Sequence, residues 1–340
     1  MSLREAIALA SSGQDVPPAV LEAGFGEIMD GKATPAQIAG LLIALRTKGE
    51  TVAEIVAAAR ALQARATTTT ASDPRTLDNC GTGGSGLDTF SISTTAAFVV
   101  AGAGVPVAKH GNRAASRMTG SFDVLEALGV RIDLPISVCG EILSRVGIAP
   151  FFAQTAHPAM RYAAPVRREL GVRTVMNCLG PLLNPAGVRL QMVGCYDDAL
   201  VEPLAASLGE LGRHRALVVH GSDGLDDLTT TGPSRAALLD GGRVESILVE
   251  PEDFGMGRAR PEDLAGGDPP ENARILRAIL EGEAGPRREI VSLNAGAALW
   301  VAEAAESLLV GIEQARESID SGAASEKLET LVRATREAGA

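Results

Sequence analysis

The sequence predicts an α/β protein in two parts: a small all-helical domain, then a larger α/β domain with a mostly parallel central sheet flanked by helices. Three observations carry this reading. Residues 1–70 show helical spacing and capping signals without a strand pattern. From residue 75 onward, short apolar runs alternate with helical stretches, as in a parallel sheet covered on both faces. Each such run is followed by glycine and then polar residues or a helix. In sheets of this kind ligands gather at the carboxyl ends of the strands.

The helical part opens with the apolar stretch Ala6-Ile7-Ala8-Leu9. A second helix covers Val20 to Met29, and Pro17-Pro18 suits its start. Thr34 caps a third from Ile38 to Leu45, with Pro35 at its first position. Thr51-Val52-Ala53-Glu54 has the capping-box pattern and opens a fourth, ending near Ala66. The polar stretch Thr67 to Pro74 separates a helical domain, 1–70, from an α/β domain, 75–340.

Thr76-Leu77-Asp78 and Val105-Pro106-Val107-Ala108 read as short strands, and Ala216 to His220 as a stronger one. Between the first two lies an apolar helix, Ala96 to Ala101. From 158 to 185 the pattern turns helical again, as Met160 to Leu170 and a broken segment Asn177 to Pro185. This is expected to be an excursion back into the helical domain. The stretch from Glu250 to Pro270, rich in Pro, Gly and acid, reads as an exposed loop. Asn294 to Ser321 reads as one long Ala-rich helix with a short break.

Composition narrows the function. Net charge is −11, which opposes a general nucleic-acid binder, since a phosphate backbone needs a cationic face. It leaves room for a small phosphorylated substrate met by local basic clusters. Cys80, Cys139, Cys178 and Cys195 show neither a CxxC pair nor zinc-ligand spacing, so they read as buried reduced thiols. The start Met1-Ser2-Leu3-Arg4-Glu5 lacks a signal pattern, and no apolar run reaches the ~18 residues of a membrane helix. A cytoplasmic enzyme without membrane contact is expected.

The most informative segment is Asp78-Asn79-Cys80-Gly81-Thr82-Gly83-Gly84-Ser85-Gly86, followed by Thr89-Phe90-Ser91-Ile92-Ser93-Thr94-Thr95. Its glycines let main chain approach a ligand, and its hydroxyls stand where a helix begins. A helix start offers spare N–H groups and partial positive charge to a phosphate. A second cluster, Lys109-His110-Gly111-Asn112-Arg113, follows a short apolar strand and adds two cations. Two neighbouring anion sites suggest a ligand with more than one phosphate group.

Taken together these residues resemble the anthranilate phosphoribosyltransferase family. Its Gly-Thr-Gly-Gly-Asp appears as Gly81 to Ser85, and its Phe-Asn-Ile-Ser-Thr as Phe90 to Thr94. Lys-His-Gly-Asn-Arg is intact at Lys109 to Arg113, Ala-Pro-Val-Arg at Ala164 to Arg167, and Gly-Pro-Leu-Leu-Asn-Pro at Gly180 to Pro185. Asp-Gly-Leu-Asp-Glu appears as Asp223 to Asp227, and the match spans essentially the whole chain. The resemblance implies a helical domain hinged to an α/β domain, with the active site between them. It also implies a homodimer joined through the helical domain.

The implied reaction joins phosphoribosyl pyrophosphate (PRPP) to anthranilate and releases pyrophosphate, with Mg²⁺ present. The resemblance places Gly81, Gly83, Gly84, Ser85, Thr89, Ser91, Ser93, Thr94, Lys109, Asn112, Arg113, Ser116, Arg117 and Ser121 against PRPP. It places Gly81, Asn112 and Arg167 against anthranilate, and Ser93, Asp226 and Asp227 at the metal. Adjacent carboxylates suit Mg²⁺, which shares its oxygens with water and substrate phosphates. His110 reads as a structural or ring-packing residue, and catalysis as positioning and metal assistance without a triad.

Five positions depart from the family pattern: Ser85 for Asp, Ser91 for Asn, Arg117 for Ser, Phe122 for Ala and Asp227 for Glu. Arg117 is expected to add a phosphate contact in place of the lost hydroxyl. Two other readings stay open: a pyrimidine nucleoside phosphorylase-like enzyme, and a non-catalytic anion-binding paralogue touching nucleic acid. The intact Lys109–Arg113 cluster and Arg167 favour the anthranilate reading over the first, and the acidic net charge opposes the second.

Overall fold

The computed structural model describes residues 2–84, 86–114 and 118–339. Ser85, Ser116 and Arg117, three of the expected PRPP contacts, lie outside the described residues, and with them the expectation for Arg117.

Four helices open the chain: α1 (Ser2–Ser11), α2 (Pro18–Met29), α3 (Pro35–Lys48) and α4 (Val52–Gln63). The caps read from sequence are formed. Thr34 accepts the Gln37 N–H, and Gln37 accepts the Thr34 N–H. Thr51 and Glu54 exchange the same pair of bonds at the head of α4. Glu54 is buried and also accepts from the Val16 N–H at 2.8 Å and from Lys48 Nζ at 2.9 Å. One carboxylate thus ties the end of α3, the head of α4 and the α1–α2 connection together.

The next elements are β1 (Leu77–Gly81), α5 (Ile92–Gly102), β2 (Val107–Gly111), α6 (Ser121–Ala127), α7 (Ile136–Val146) and β3 (Ile148–Phe152). Three helices follow, α8 (Ala153–Ala156), α9 (Ala164–Leu170) and α10 (Val175–Leu182). Then come β4 (Leu190–Gly194), α11 (Val201–Glu210), β5 (Arg215–Gly221), β6 (Ser234–Asp240) and β7 (Arg243–Val249). The chain closes with α12 (Pro269–Leu280), α13 (Pro286–Val301), α14 (Leu308–Asp320) and α15 (Ala323–Glu337).

The strands form one sheet in the order β3-β2-β1-β4-β5-β6-β7. The first five in that order are parallel; β6 and β7 add an antiparallel edge. The chain winds outward one way from β1 and the other way from β4. The crevice between those two strands is therefore the topological switch point, where such sheets bind ligands. Alternate side chains serve two cores. Met192, Leu217 and Val219 pack with α5, α7 and α12 to α15. Val193, Ala216 and Val218 pack with α1 to α4 and α9 to α11.

Several elements differ from expectation. β1 runs on through Asp78, Asn79 and Cys80 to Gly81, and α5 begins at Ile92, so Ser93 and Thr94 lie in its first turn. β2 starts at Val107 and includes Lys109 and His110, so the basic cluster begins inside a strand and not after it. Polar residues hid these strand ends, because their side chains are buried against partners instead of facing water.

The 250–270 stretch is not simply exposed: Pro251, Met256 and Leu264 are buried, and the Leu264 carbonyl accepts the Phe90 N–H at 3.1 Å. The long tail helix is two, because residues 302–307 turn the chain and α14 packs back on α13. The single tryptophan, Trp300, lies near the end of α13 beneath the Arg215 guanidinium, 5.2 Å from its ring.

No described helix is long and apolar enough to cross a membrane. All four cysteines are buried and unpaired. Burial pushes the Cys139 and Cys195 thiols up to about 12 and the Cys178 thiol to about 11. Thiolates are the reactive species, so an aromatic disulfide reagent should label no thiol in the native protein and all four after denaturation. Rapid labelling of the native chain would contradict this burial.

Candidate active site

β1 and β4 end side by side with Gly81 opposite Gly194. Asp226, from the β5–β6 connection, lies across both. A Cβ on Gly81 would stand 2.8 Å from Asp226 Oδ2, and one on Gly194 only 1.6 Å from the Asp226 carbonyl. Only glycine fits at this approach. The Asp226 loop is itself anchored: Asn294 of α13 accepts the Leu228 N–H at 3.0 Å and donates to the Leu228 carbonyl at 2.8 Å.

The loop after β1 starts with two fixed bonds. The Thr82 N–H donates to the Gly194 carbonyl at 2.8 Å, and Thr82 Oγ1 accepts the Tyr196 N–H at 3.1 Å. Gly83 and Gly84 then take left-handed conformations, φ 67° and 83°, which residues with side chains rarely adopt. The loop leads to α5, whose head carries the hydroxyl run. Thr89 bridges to Ala265, and the Ser91 carbonyl accepts from Thr95. The Ser93 carbonyl accepts from Asn79 Nδ2 at 2.7 Å. Thr94 is buried, and its hydroxyl has no hydrogen-bond partner among the described residues.

Ser93 and Asp227 line one small cavity together with Asn79, Cys80, Met192, Gly194 and Asn294. Of the residues expected at phosphate and metal, Ser93 and Asp227 thus share this cavity, and Gly81 lies against Asp226. Among the described residues no cluster of three or more His, Cys, Asp and Glu forms a cage. A hydroxyl and a pair of carboxylates are hard oxygen donors, and so few of them suit Mg²⁺ held jointly with substrate phosphates.

Lys109 is placed differently from a solvated cation. It is buried, and its Nζ donates to the Asn79 carbonyl at 3.0 Å. Burial pushes its ammonium down, while the Asp78 and Asp227 charges pull it back up. Asn112 accepts the Arg113 N–H at 2.9 Å and Gln154 Nε2 at 3.4 Å. Arg113 forks onto Glu126 at 2.8 and 2.7 Å and lies over Phe152, 5.0 Å from the ring centroid. Phe122, one of the departures from the family pattern, stacks on Phe152 with ring centroids 5.4 Å apart. The Ser121 hydroxyl donates to the Asn112 carbonyl at 3.5 Å.

Arg167 lies on α9. Its guanidinium is largely shielded and makes no hydrogen bond or ion pair among the described residues; burial pushes its proton affinity down. A desolvated cation of this kind suits a carboxylate. His110 is buried edge-on to His157, with ring centroids 5.2 Å apart. The pair joins the end of β2 to the segment leading into α9. His157 was not singled out in the sequence, and neither were Asn79, Tyr196 or Glu126. The Asp-Asn pair ahead of the glycines was the available signal for Asn79.

Burial, then its neighbour His157, pushes His110 down to about 3, and burial pushes His157 down to about 4, from the usual 6.5. Both rings are neutral near pH 7, and the unfolded chain would take up the protons. Their contribution to stability is present above pH 6.5 and lost as pH falls toward the folded values. The loss is about 2 kcal/mol for each ring between pH 7 and pH 5. The melting temperature should fall across that window, and the fall should shrink when His157→Gln removes one ring.

Two family models match this arrangement. The helical bundle domain of a glycosyl transferase family covers residues 4–66, and the a/b domain of a glycosyl transferase family covers residues 73–325. The anthranilate phosphoribosyltransferase of Moorella thermoacetica is 53% identical over 330 residues, 97% of either chain. That of Rubrobacter xylanophilus is 50% identical over 335 residues, 98% of either chain. The crystal structure of the Thermus thermophilus enzyme matches at TM-score 0.93 and 43% identity, covering 98% of this chain and 99% of that one. The Saccharomyces cerevisiae enzyme in complex with PRPP and Mg matches at TM-score 0.89 and 26% identity, covering 99% of this chain and 98% of that one. The yeast enzyme has also been solved with 4-fluoroanthranilate. By fold, by both family models and by identity along nearly its whole length, this chain belongs to the anthranilate phosphoribosyltransferase family of glycosyltransferases.

Proposed function

We propose that the chain transfers the phosphoribosyl group of PRPP to the amine of anthranilate, giving N-(5-phosphoribosyl)anthranilate and pyrophosphate in tryptophan biosynthesis. One observation carries this beyond family membership. The left-handed glycine loop, the head of α5 and the Asp226–Asp227 turn meet at the switch point, where Gly81 and Gly194 leave no room for side chains. The two glycines let the Asp226 backbone and carboxylate lie directly on the strand ends, which sets the acidic turn beside the glycine loop.

In this reading the N–H groups of the glycine loop and of the α5 head, with Ser91 and Ser93, bind the PRPP anions. Arg113 leaves Glu126, or shares it, to reach a phosphate. Buried Lys109 acts at one remove, by holding the Asn79 carbonyl and adding positive charge beneath the site. Ser93, Asp226 and Asp227 hold Mg²⁺, which when bound would neutralise charge on the departing pyrophosphate. Arg167 takes the anthranilate carboxylate, and Asn112 lies near its ring.

The bond formed joins the anthranilate nitrogen to ribosyl C1, the bond broken joins C1 to pyrophosphate, and the surplus amine proton passes to solvent. The arylamine is already neutral near pH 7, so no strong base is required. His110 and His157, held neutral with depressed proton affinity, are poor bases and pack the wall. The chain's contribution is positioning and charge.

The helical unit comprises residues 1–70 with 158–185 returning to it, and 75–340 form the phosphate-binding unit. In support, Val166 of α9 and Val175 and Leu179 of α10 share a core with α1 to α4. Ile43 is exposed on α3, and Ile7 and Leu9 of α1 are only partly buried. We assign this apolar face to a homodimer, for which light scattering should give twice the chain mass. The four reduced cysteines suit a cytoplasmic enzyme.

The decisive measurement is the fluorescence change of anthranilate as it is consumed, with and without PRPP and Mg²⁺. Consumption should require both, and thymidine with phosphate should remain unreacted. Arg167→Met should raise the anthranilate KM by about tenfold or more, as expected for loss of one charge-assisted pair, with the PRPP KM little changed. Mg²⁺-independent turnover, or an unaltered anthranilate KM, would overturn these assignments.

A further inference from the structure

Among the described residues, the glycine loop is also tied from the segment that returns to the helical domain. Arg173 Nη2 donates to the Gly84 carbonyl. The same guanidinium lies over the Tyr196 ring, 4.2 Å from its centroid. Arg173 stands in the short segment between α9 and α10, and Tyr196 just after β4. The platform is firm: Tyr196 is buried, its N–H is bonded to Thr82 Oγ1, and its hydroxyl lies 3.7 Å from Cys178 Sγ of α10.

An exposed arginine on this acidic protein would ordinarily find a carboxylate. Ion pairs of that kind engage Arg113, Arg235, Arg274 and Arg277. Arg173 has none among the described residues and directs its donor to a neutral carbonyl. Its charge therefore stands uncompensated beside a loop read above as an anion cradle. Six residues earlier on the same excursion is Arg167, read as the anthranilate carboxylate contact.

We propose that Arg173, braced on Tyr196, is a positioning residue that latches the glycine loop in the form that receives PRPP. The latch is carried on the segment that also bears Arg167, so it joins the two substrate sides mechanically. This rests on the PRPP reading of the loop given above. Guanidinium chemistry suits the task, because one flat group can stack on a ring and still donate in its own plane. Lysine can supply the donor and the charge but not the flat stack.

The test combines millisecond amide exchange of the peptide spanning 82–90, without substrate, with steady-state kinetics. Arg173→Met should speed exchange in that peptide and raise the PRPP KM by about tenfold, with kcat and melting temperature little changed. Tyr196→Leu should produce a similar KM effect. The double variant should be little worse than either single one, since the two side chains act as a unit. Arg173→Lys should recover part of the KM.

Unchanged exchange in Arg173→Met overturns the latch, as does loosened exchange with an unaltered PRPP KM. Calorimetry of PRPP binding to the wild-type chain separates the two failures. If the wild type binds no PRPP, the functional reading falls. The substrate-free exchange result still decides whether Arg173 holds the loop.

Discussion

The site depends on a carboxylate buried in the middle of the sheet. Asp78 of β1 is fully shielded, yet it is well supplied with donors: the His110 N–H of β2 at 3.1 Å, Cys80 Sγ at 3.2 Å and Gln191 Nε2 of β4 at 3.3 Å. Gln191 in turn accepts from half-buried Arg213 at 2.9 Å. Burying a charge is costly unless it is paired and hydrogen-bonded, and burial pushes the Asp78 carboxyl up while the positive charge of Lys109 draws it back. The network holds β2, β1 and β4 with their carboxyl ends level. Those are the three strands whose ends make the floor and walls of the crevice. Without Asp78, buried Lys109 would lose one of the two carboxylates whose charge holds its proton.

Much of this was legible in the sequence where the signal was local. Thr34 and Thr51 announced two helices because a cap needs only residues a turn apart. The glycines announced a left-handed loop because other residues rarely adopt those φ values. The signal failed where tertiary partners decide. Asn79 and Lys109 look like loop residues, and only neighbouring strands make them tolerable inside a sheet. Leu264 belongs to a stretch rich in Pro and acid, and nothing local says that it covers Phe90. Arg173 and Tyr196 are far apart in sequence and carry no motif, so their stack could be found only in space.

The crevice is built by division of labour. The α/β unit supplies main-chain donors, the hydroxyls of α5 and the acidic turn. The excursion through α9 and α10 carries Arg167 and Arg173, Lys109 and Arg113 come with β2, and the His110–His157 contact joins the two. Charge follows the same division. Negative groups gather at the β5–β6 connection, and positive ones stand on the opposing elements. A polyanionic donor and an aromatic acid can thus meet cations without a basic protein overall. Phe122 shows how a departure from the family pattern is absorbed: it thickens the aromatic wall beneath Arg113 and leaves the arginine in place.

The position of Trp300 has an optical consequence. It is the sole indole in the chain, and it sits against Arg215 at the base of the sheet, while residues 1–70 contain no tryptophan. Emission from this chain under selective excitation is therefore a local reporter of the sheet and its terminal helices. Melting confined to the N-terminal bundle would reach that chromophore only through β5, whose Ala216 and Val218 the bundle covers. A single smooth fluorescence transition is thus no proof of two-state behaviour here; far-ultraviolet dichroism, to which every helix contributes, supplies the missing half.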